Sequence, residues 1–134
     1  MPAERIFLDS NLIIYAYFKQ DENKQRISKQ LISQNAIIST QVLQELTNIL
    51  HRKMGVDYSI VRSILQECLK NCDLNTNTSD TVFLALDIAE RYSFSFYDSL
   101  IVAAALESKC TTLYSEDMQH NQRIENLIIK NPFA

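Results

Sequence analysis

Four acidic residues stand where an α/β sheet would hold reactive groups. Asp9 follows the apolar run Ile6, Phe7 and Leu8; Glu45 lies on the first turns of a helical pattern that begins after Ser39; Asp98 opens the segment SFYDSLIVAAAL; Asp117 follows a strand-like run in LYSEDM. Singly, each has an ordinary use. Asp9 and Asp98 suit helix caps, Glu45 a solvated helix position and Asp117 a surface turn. Capping does not require four carboxylates to converge on one edge of a sheet, however, and convergence calls for a cation. Carboxylate oxygens without imidazole or thiolate partners are hard ligands suited to Mg2+ or Mn2+. The chemistry such a set supports is displacement at a phosphoryl group.

Other chemistries find little support. The single glycine, Gly55, excludes the glycine-dependent dinucleotide fingerprint and the P-loop, both of which need several residues without Cβ beside the phosphates. Cys68, Cys72, Cys110, His51 and His120 are scattered, with no CxxC or HExxH spacing for zinc. The net charge of −3, from 13 basic and 16 acidic residues, is unlike that of a basic nucleic-acid coat, so any nucleic-acid contact is expected to be local or metal-assisted. An odd cysteine count and the absence of a secretory pattern in MPAERIFLD suggest a reducing, cytoplasmic setting. The longest unbroken apolar stretch, residues 100–106, is far short of the ~20 residues that span a bilayer.

Positioning these acids requires a sheet, and the pattern supplies one. Residues 5–8, 36–39, 72–75, 111–114 and 127–130 read as strands, with amphipathic helical patterns between them. Such alternation predicts a parallel sheet covered by helices. Val42, Leu43, Leu46, Ile49, Leu50 and Met54 share one helical face, and Gly55 is placed to end that helix at C′. Ile27, Leu31 and Ile32 mark a second helix, residues 82–89 a third, and Ile60, Ile64, Leu65 and Leu69 a fourth whose apolar face is expected to meet the core. Apolar residues surround the helix at 100–106 completely, which predicts the most enclosed helix. The two prolines, Pro2 and Pro132, sit at the ends, and the 134 residues, 46% of them hydrophobic, are read as one domain over 1–134.

With these residues in view, the chain resembles the PIN-domain ribonucleases, and within them the VapC-like toxins of toxin–antitoxin modules. The resemblance rests on FLDSNLIIYAY, STQVLQEL, FYDSLIVAAAL, LYSEDMQH and the terminal IIKNPF, in that order along nearly the whole chain. It implies a three-layer α/β/α sandwich with a central parallel sheet and a Mg2+- or Mn2+-dependent endoribonuclease site. Asp9, Glu45, Asp98 and Asp117 match the family's acidic quartet. Asn11, Ser39 and Ser115 match polar positions that support the acids by hydrogen bonds, and Glu116 is an adjacent contributor. The resemblance also implies an RNA substrate, a homodimer, and a cognate antitoxin whose C-terminal segment covers the groove beside the acids, with residues 13–18 and 60–69 as its exposed docking surfaces. One departure is Asn121, where the family often has glycine; asparagine tolerates the left-handed backbone such a turn needs.

Two other functions compete. A catalytically degenerate PIN-fold binding module would share the fold, and the presence of all four acids argues against it. An aspartate-dependent phosphatase or phosphoacceptor domain also places an aspartate after its first strand. The former wants a second aspartate where Asn11 stands, and the latter an acceptor aspartate where Leu74 leads into Asn75, Thr76 and Asn77. Lys19, Lys24, Arg26 and Lys29 read more simply as a solvated helix face than as a nucleic-acid contact.

Overall fold

The computed structural model describes residues 4–134. Short apolar strands alternate with helices in the order β1 (Ile6–Leu8), α1 (Ser10–Tyr17), α2 (Glu22–Ile32), β2 (Ile37–Ser39), α3 (Thr40–Asn48), α4 (Tyr58–Asn71), β3 (Asp73–Asn75), α5 (Ser79–Tyr92), α6 (Phe96–Glu107), β4 (Thr112–Tyr114), β5 (Arg123–Ile124) and β6 (Leu127–Lys130). The strands form one sheet in the order β3-β2-β1-β4-β6-β5. All pairings are parallel except β5 with β6.

That order fixes the layers. From β1 to β2 to β3 the chain steps in one direction across the sheet; from β3 to β4 it returns past β1. Crossovers between parallel strands are right-handed, so a reversal of direction sends the connecting helices to the opposite face. The helices accordingly fall into two packing groups, α1 to α4 and α5 with α6. The result is the expected three-layer α/β/α sandwich. One element departs from a wholly parallel sheet: β5, which the sequence pattern does not reveal, adds an antiparallel edge through a hairpin at Glu125 and Asn126.

The core gathers Phe7, Leu8, Leu12, Ile37, Ile38, Leu46, Leu50, Ile101 and Leu113, all fully buried or nearly so. Its centre is α6, whose residues from Ser99 through Ala105 are buried on every side, as the uninterrupted apolar run predicts. The helix of residues 40–54 is continuous, with its final turn, Ile49–Lys53, widened to π geometry before Gly55 reverses the chain at φ 67°. The helix at α4 turns differently from expectation. Val61 and Cys68 are its buried residues, while Ile60 is 52% and Leu69 44% exposed. Its apolar stripe is broader than the face the sheet can cover, so the remainder looks outward. The reverse holds at α1, where Leu12, Ile13, Ile14 and Ala16 are buried and only Tyr15, Tyr17 and Phe18 reach the surface in part. Residues 13–18 are therefore mainly core rather than the exposed surface expected of them.

Candidate active site

Parallel sheets bind ligands beyond the carboxyl ends of their strands, at the point where neighbouring strands send their connections in opposite directions. Here that point lies between β1 and β4. After β1 the chain turns toward β2; after β4 it turns toward β6. The register pairs Leu8 with Tyr114, so the next residues, Asp9 and Ser115, emerge side by side at the head of the crevice.

Asp9 is buried, 8% exposed, and both its oxygens are engaged. Oδ1 accepts from the Ser10 backbone N–H at 2.8 Å, making Asp9 the N-cap of α1, and Oδ2 accepts from Ser115 Oγ at 2.8 Å. Capping α1 and bonding Ser115 thus coexist in one carboxylate. Burial pushes its carboxyl above the usual aspartate range, the bonds from Ser115 and Ser10 pull it back, and the charges of Asp117 and Asp98 push it up again. No Lys, Arg or His neutralises it, among the described residues.

Glu45 projects from α3, half-buried. Gln41, one turn earlier and itself buried, donates from Nε2 to Glu45 Oε2 at 3.4 Å and to the Tyr97 carbonyl oxygen at 3.0 Å, tying α3 to the first turn of α6. Glu45 Oε1 is buried with no hydrogen-bond partner. Burial raises the Glu45 carboxyl and the Asp9 charge adds to it, against bonds with Ser10 and Gln41; Asp98 contributes a further push upward. Asp98 is exposed and is not the cap of α6. Ser95 is, its Oγ accepting from the Asp98 N–H at 3.1 Å, which leaves the Asp98 carboxylate free at the positive end of the helix. Asp117 is exposed and is oriented by Asn11, whose Nδ2 donates to Oδ2 at 3.1 Å.

Electrostatic coupling thus links all four acids, Asp9 with Asp98 and Asp117, and Glu45 with Asp9 and Asp98. They do not close into a cage: among the described residues no three His, Cys, Asp or Glu side chains gather on a single point. Two members, Asp98 and Asp117, are exposed. The donor set still fits a hard divalent cation, being all oxygen, with an orphaned buried acceptor at Glu45 and a buried, unneutralised carboxyl at Asp9.

The supporting residues divide. Ser115 serves Asp9 and Asn11 serves Asp117. Ser39 makes no hydrogen bond to an acid; its Oγ instead accepts from the Val42 N–H at 3.4 Å and caps α3, setting the helix that carries Glu45. Glu116 is turned away from the acids, accepting from Tyr15 Oη at 2.6 Å and pairing with Lys24. Lys24 is therefore engaged within the fold rather than on a solvated face. Gln41 and Ser10 are the residues that sequence reasoning missed. The i to i+4 spacing of Gln41 and Glu45 was the available signal. Asn121 adopts φ 68°, so asparagine does hold the left-handed position that glycine often holds in the resembled family.

A mostly parallel α/β sheet covered by helices, with carboxylates beyond its strand ends at the switch point, is the class of fold to which the chain belongs. The sequence matches the PIN domain family over residues 6–124, and the chain belongs to that family, one of nucleases. No curated protein sequence matches it significantly. Solved structures share the fold. VapBC2 from Rickettsia felis, bound to a DNA fragment from its promoter, superposes with a TM-score of 0.69 at 22% identity, covering 95% of this chain and 98% of that one. VapC20 of Mycobacterium tuberculosis, a sarcin-ricin loop cleaving toxin, gives 0.66 at 19% identity over 81% of this chain and 86% of that one. A toxin–antitoxin complex from Klebsiella pneumoniae gives 0.69 at 16% identity, with 95% and 97% covered.

Proposed function

We propose that the protein is a metal-dependent endoribonuclease acting as the toxin of a toxin–antitoxin pair. The observation that carries this reading is Asp9: a buried carboxylate without a cationic partner, held by Ser115 at the switch point, within electrostatic reach of Asp98 and Asp117. Burying an ionised carboxylate without a cationic partner is costly, and a bound divalent cation would offset that cost. Asp9 and Asp98 would hold Mg2+ or Mn2+, with Glu45 and Asp117 completing the anionic set. Bound there, such a cation would supply Lewis acidity toward a phosphodiester and would offset the charge of the RNA backbone.

The chain's own residues prepare that site. Ser115 and the Ser10 N–H favour the ionised form of Asp9, Gln41 orients Glu45, and Asn11 restrains the Asp117 carboxylate. Cleavage of RNA with Mn2+ or Mg2+, and its loss in EDTA, is the expected result; undiminished cleavage in excess EDTA overturns the metal dependence. A binding module that retains the fold without cutting would show no cleavage with either cation.

The partner reading has its own support. A groove of about 510 Å3 between α3 and α4 is lined by Leu43, Thr47, Tyr58, Val61, Leu65 and Leu69, with Arg62 and Gln66 as its further polar members. A cognate antitoxin segment would seat aliphatic side chains there and extend a basic residue toward the acids. Leu65→Glu is expected to abolish co-purification with the antitoxin while cleavage persists. On α5, Val82, Phe83 and Leu86 are exposed and fall on neighbouring positions of the helix, a surface suited to a second copy of the chain. Sedimentation should report a dimer that Phe83→Lys dissociates.

A further inference from the structure

Tyr97 is the most exposed large hydrophobic side chain among the described residues, with 67% of its surface open. It stands in the first turn of α6 immediately before Asp98, so its Cα lies ~3.8 Å from that of an acid in the proposed site. Its main chain is nonetheless fixed. The carbonyl oxygen accepts from Gln41 Nε2 at 3.0 Å, and the same amide reaches Glu45 Oε2 at 3.4 Å. On its other side the ring meets Phe96 edge-on, with centroids 5.5 Å apart at 69°, and Phe96 in turn packs on the core.

The backbone of Tyr97 is thus anchored to the two helices that carry Glu45 and Asp98, while most of its ring is left open to solvent. The fold makes little use of that open surface. A substrate with unpaired bases would use it, because a phosphate held by a cation among the acids would bring the adjoining nucleobase close to residue 97, and an aromatic face there offers stacking. The geometry points to Tyr97 as the platform on which an unpaired base next to the scissile phosphate stacks. This rests on the endoribonuclease reading and assigns to Tyr97 the contact with the unpaired base, since bases within a duplex are already stacked and cannot reach the ring. Stacking accepts any base, so Tyr97 selects for strandedness and exerts little choice of sequence.

Three measurements on this chain test it. In steady-state cleavage of a single-stranded oligoribonucleotide, Tyr97→Ala should raise KM about tenfold, the size of one lost base–aromatic stack, with the effect falling chiefly on KM rather than kcat, and Tyr97→Phe should recover most of that loss. The chain contains no tryptophan. Tyr97→Trp in the otherwise unaltered chain therefore introduces a single reporter, whose emission should be quenched on mixing, before cleavage, by a single-stranded oligouridylate with Mg2+ and not by a duplex of equal length. Cleavage by the parent with an unchanged KM in Tyr97→Ala overturns the proposal and leaves the nuclease reading intact. Failure of the parent to cut any RNA removes the nuclease reading, and quenching then decides the base contact alone. Absence of quenching overturns the proposal in either case. A fall in sedimenting mass in Tyr97→Ala assigns the ring to contact with a second copy and also overturns it.

Discussion

Ser115 Oγ donates to Asp9 Oδ2 across 2.8 Å, joining the ends of two adjacent parallel strands that are far apart in sequence. Both residues are buried, so the bond is made where water cannot replace it. It favours the ionised carboxylate against the burial that opposes it. Ser115→Ala should raise the Asp9 carboxyl further and move the acid limb of the pH–rate profile to higher pH. Loss of a charge-assisted bond should also cost about 1.5 to 3 kcal/mol of stability at neutral pH. An unchanged pH–rate profile with an unchanged melting temperature would sink this assignment.

Asp9 also sets a pH dependence of stability. Its folded-state carboxyl lies above the usual aspartate range, chiefly through burial. A raised carboxyl means that the folded state binds its proton more tightly than the unfolded chain does. The associated stability is therefore fully present below the unfolded value and is lost as pH rises through the folded one, leaving a penalty at neutral pH. Asp9→Asn keeps an N-cap oxygen for Ser10 and removes the charge. In EDTA at neutral pH this variant should melt higher than the parent, with the difference vanishing below about pH 3.8. Added Mn2+ should then stabilise the parent more than the variant. Thermal melts across pH, with and without Mn2+, check all three expectations; a lower melting temperature in EDTA would contradict them.

A panel of charge-neutral substitutions separates the site from its surroundings. Asp9→Asn and Asp98→Asn should each abolish RNA cleavage and relieve growth inhibition on induced expression. Asp87→Asn, an exposed acid on α5, should leave both nearly intact. Glu116→Gln should also retain cleavage, because Glu116 bonds Tyr15 and Lys24 rather than the other acids. Loss of activity in Glu116→Gln comparable to that in Asp98→Asn would place Glu116 among the acids instead.

With one glycine in the chain, other residues occupy left-handed backbone positions: Asn35, Ser93, Lys109, Asn121 and Glu125 all have φ between 54° and 68°. Glu125 is the first turn residue of the β5–β6 hairpin, where glycine is the preferred occupant of a two-residue turn with positive φ at that place. Glu125→Gly should therefore stabilise the protein by about 1 kcal/mol, read as a higher denaturant midpoint at unchanged slope. Gly55→Ala, at φ 67° with open space around the added methyl, should destabilise by a similar amount through backbone strain alone.

How much of this was legible in advance depended on whether the signal was local. The apolar runs at residues 5–8, 36–39 and 111–114 and the encircling hydrophobicity of α6 required only periodicity to read, and the structure places them as core strands and the central helix. The β5 strand was invisible because its two residues carry no alternation and its turn, Glu125 and Asn126, lacks a glycine signature. The α4 face was misjudged because periodicity shows that a helix is apolar on one side without showing how wide a surface its neighbours can cover.

The same division runs through the site. Sequence alone determined the composition of the acidic set: four carboxylates, each close to the end of a strand or the start of a helix, with no histidine or thiolate spacing to compete. Those properties follow from residue type and distance along the chain. Only the tertiary structure decided which of them are buried, that Ser115 rather than Ser39 bonds Asp9, that Ser95 rather than Asp98 caps α6, that Glu116 turns to Lys24, and that Gln41 binds Glu45 to the backbone of Tyr97. Each of these depends on which strand lies beside which and on the direction in which the chain leaves it. Strand order and crossover hand set those relations over the whole domain, and no local run of residues carries them.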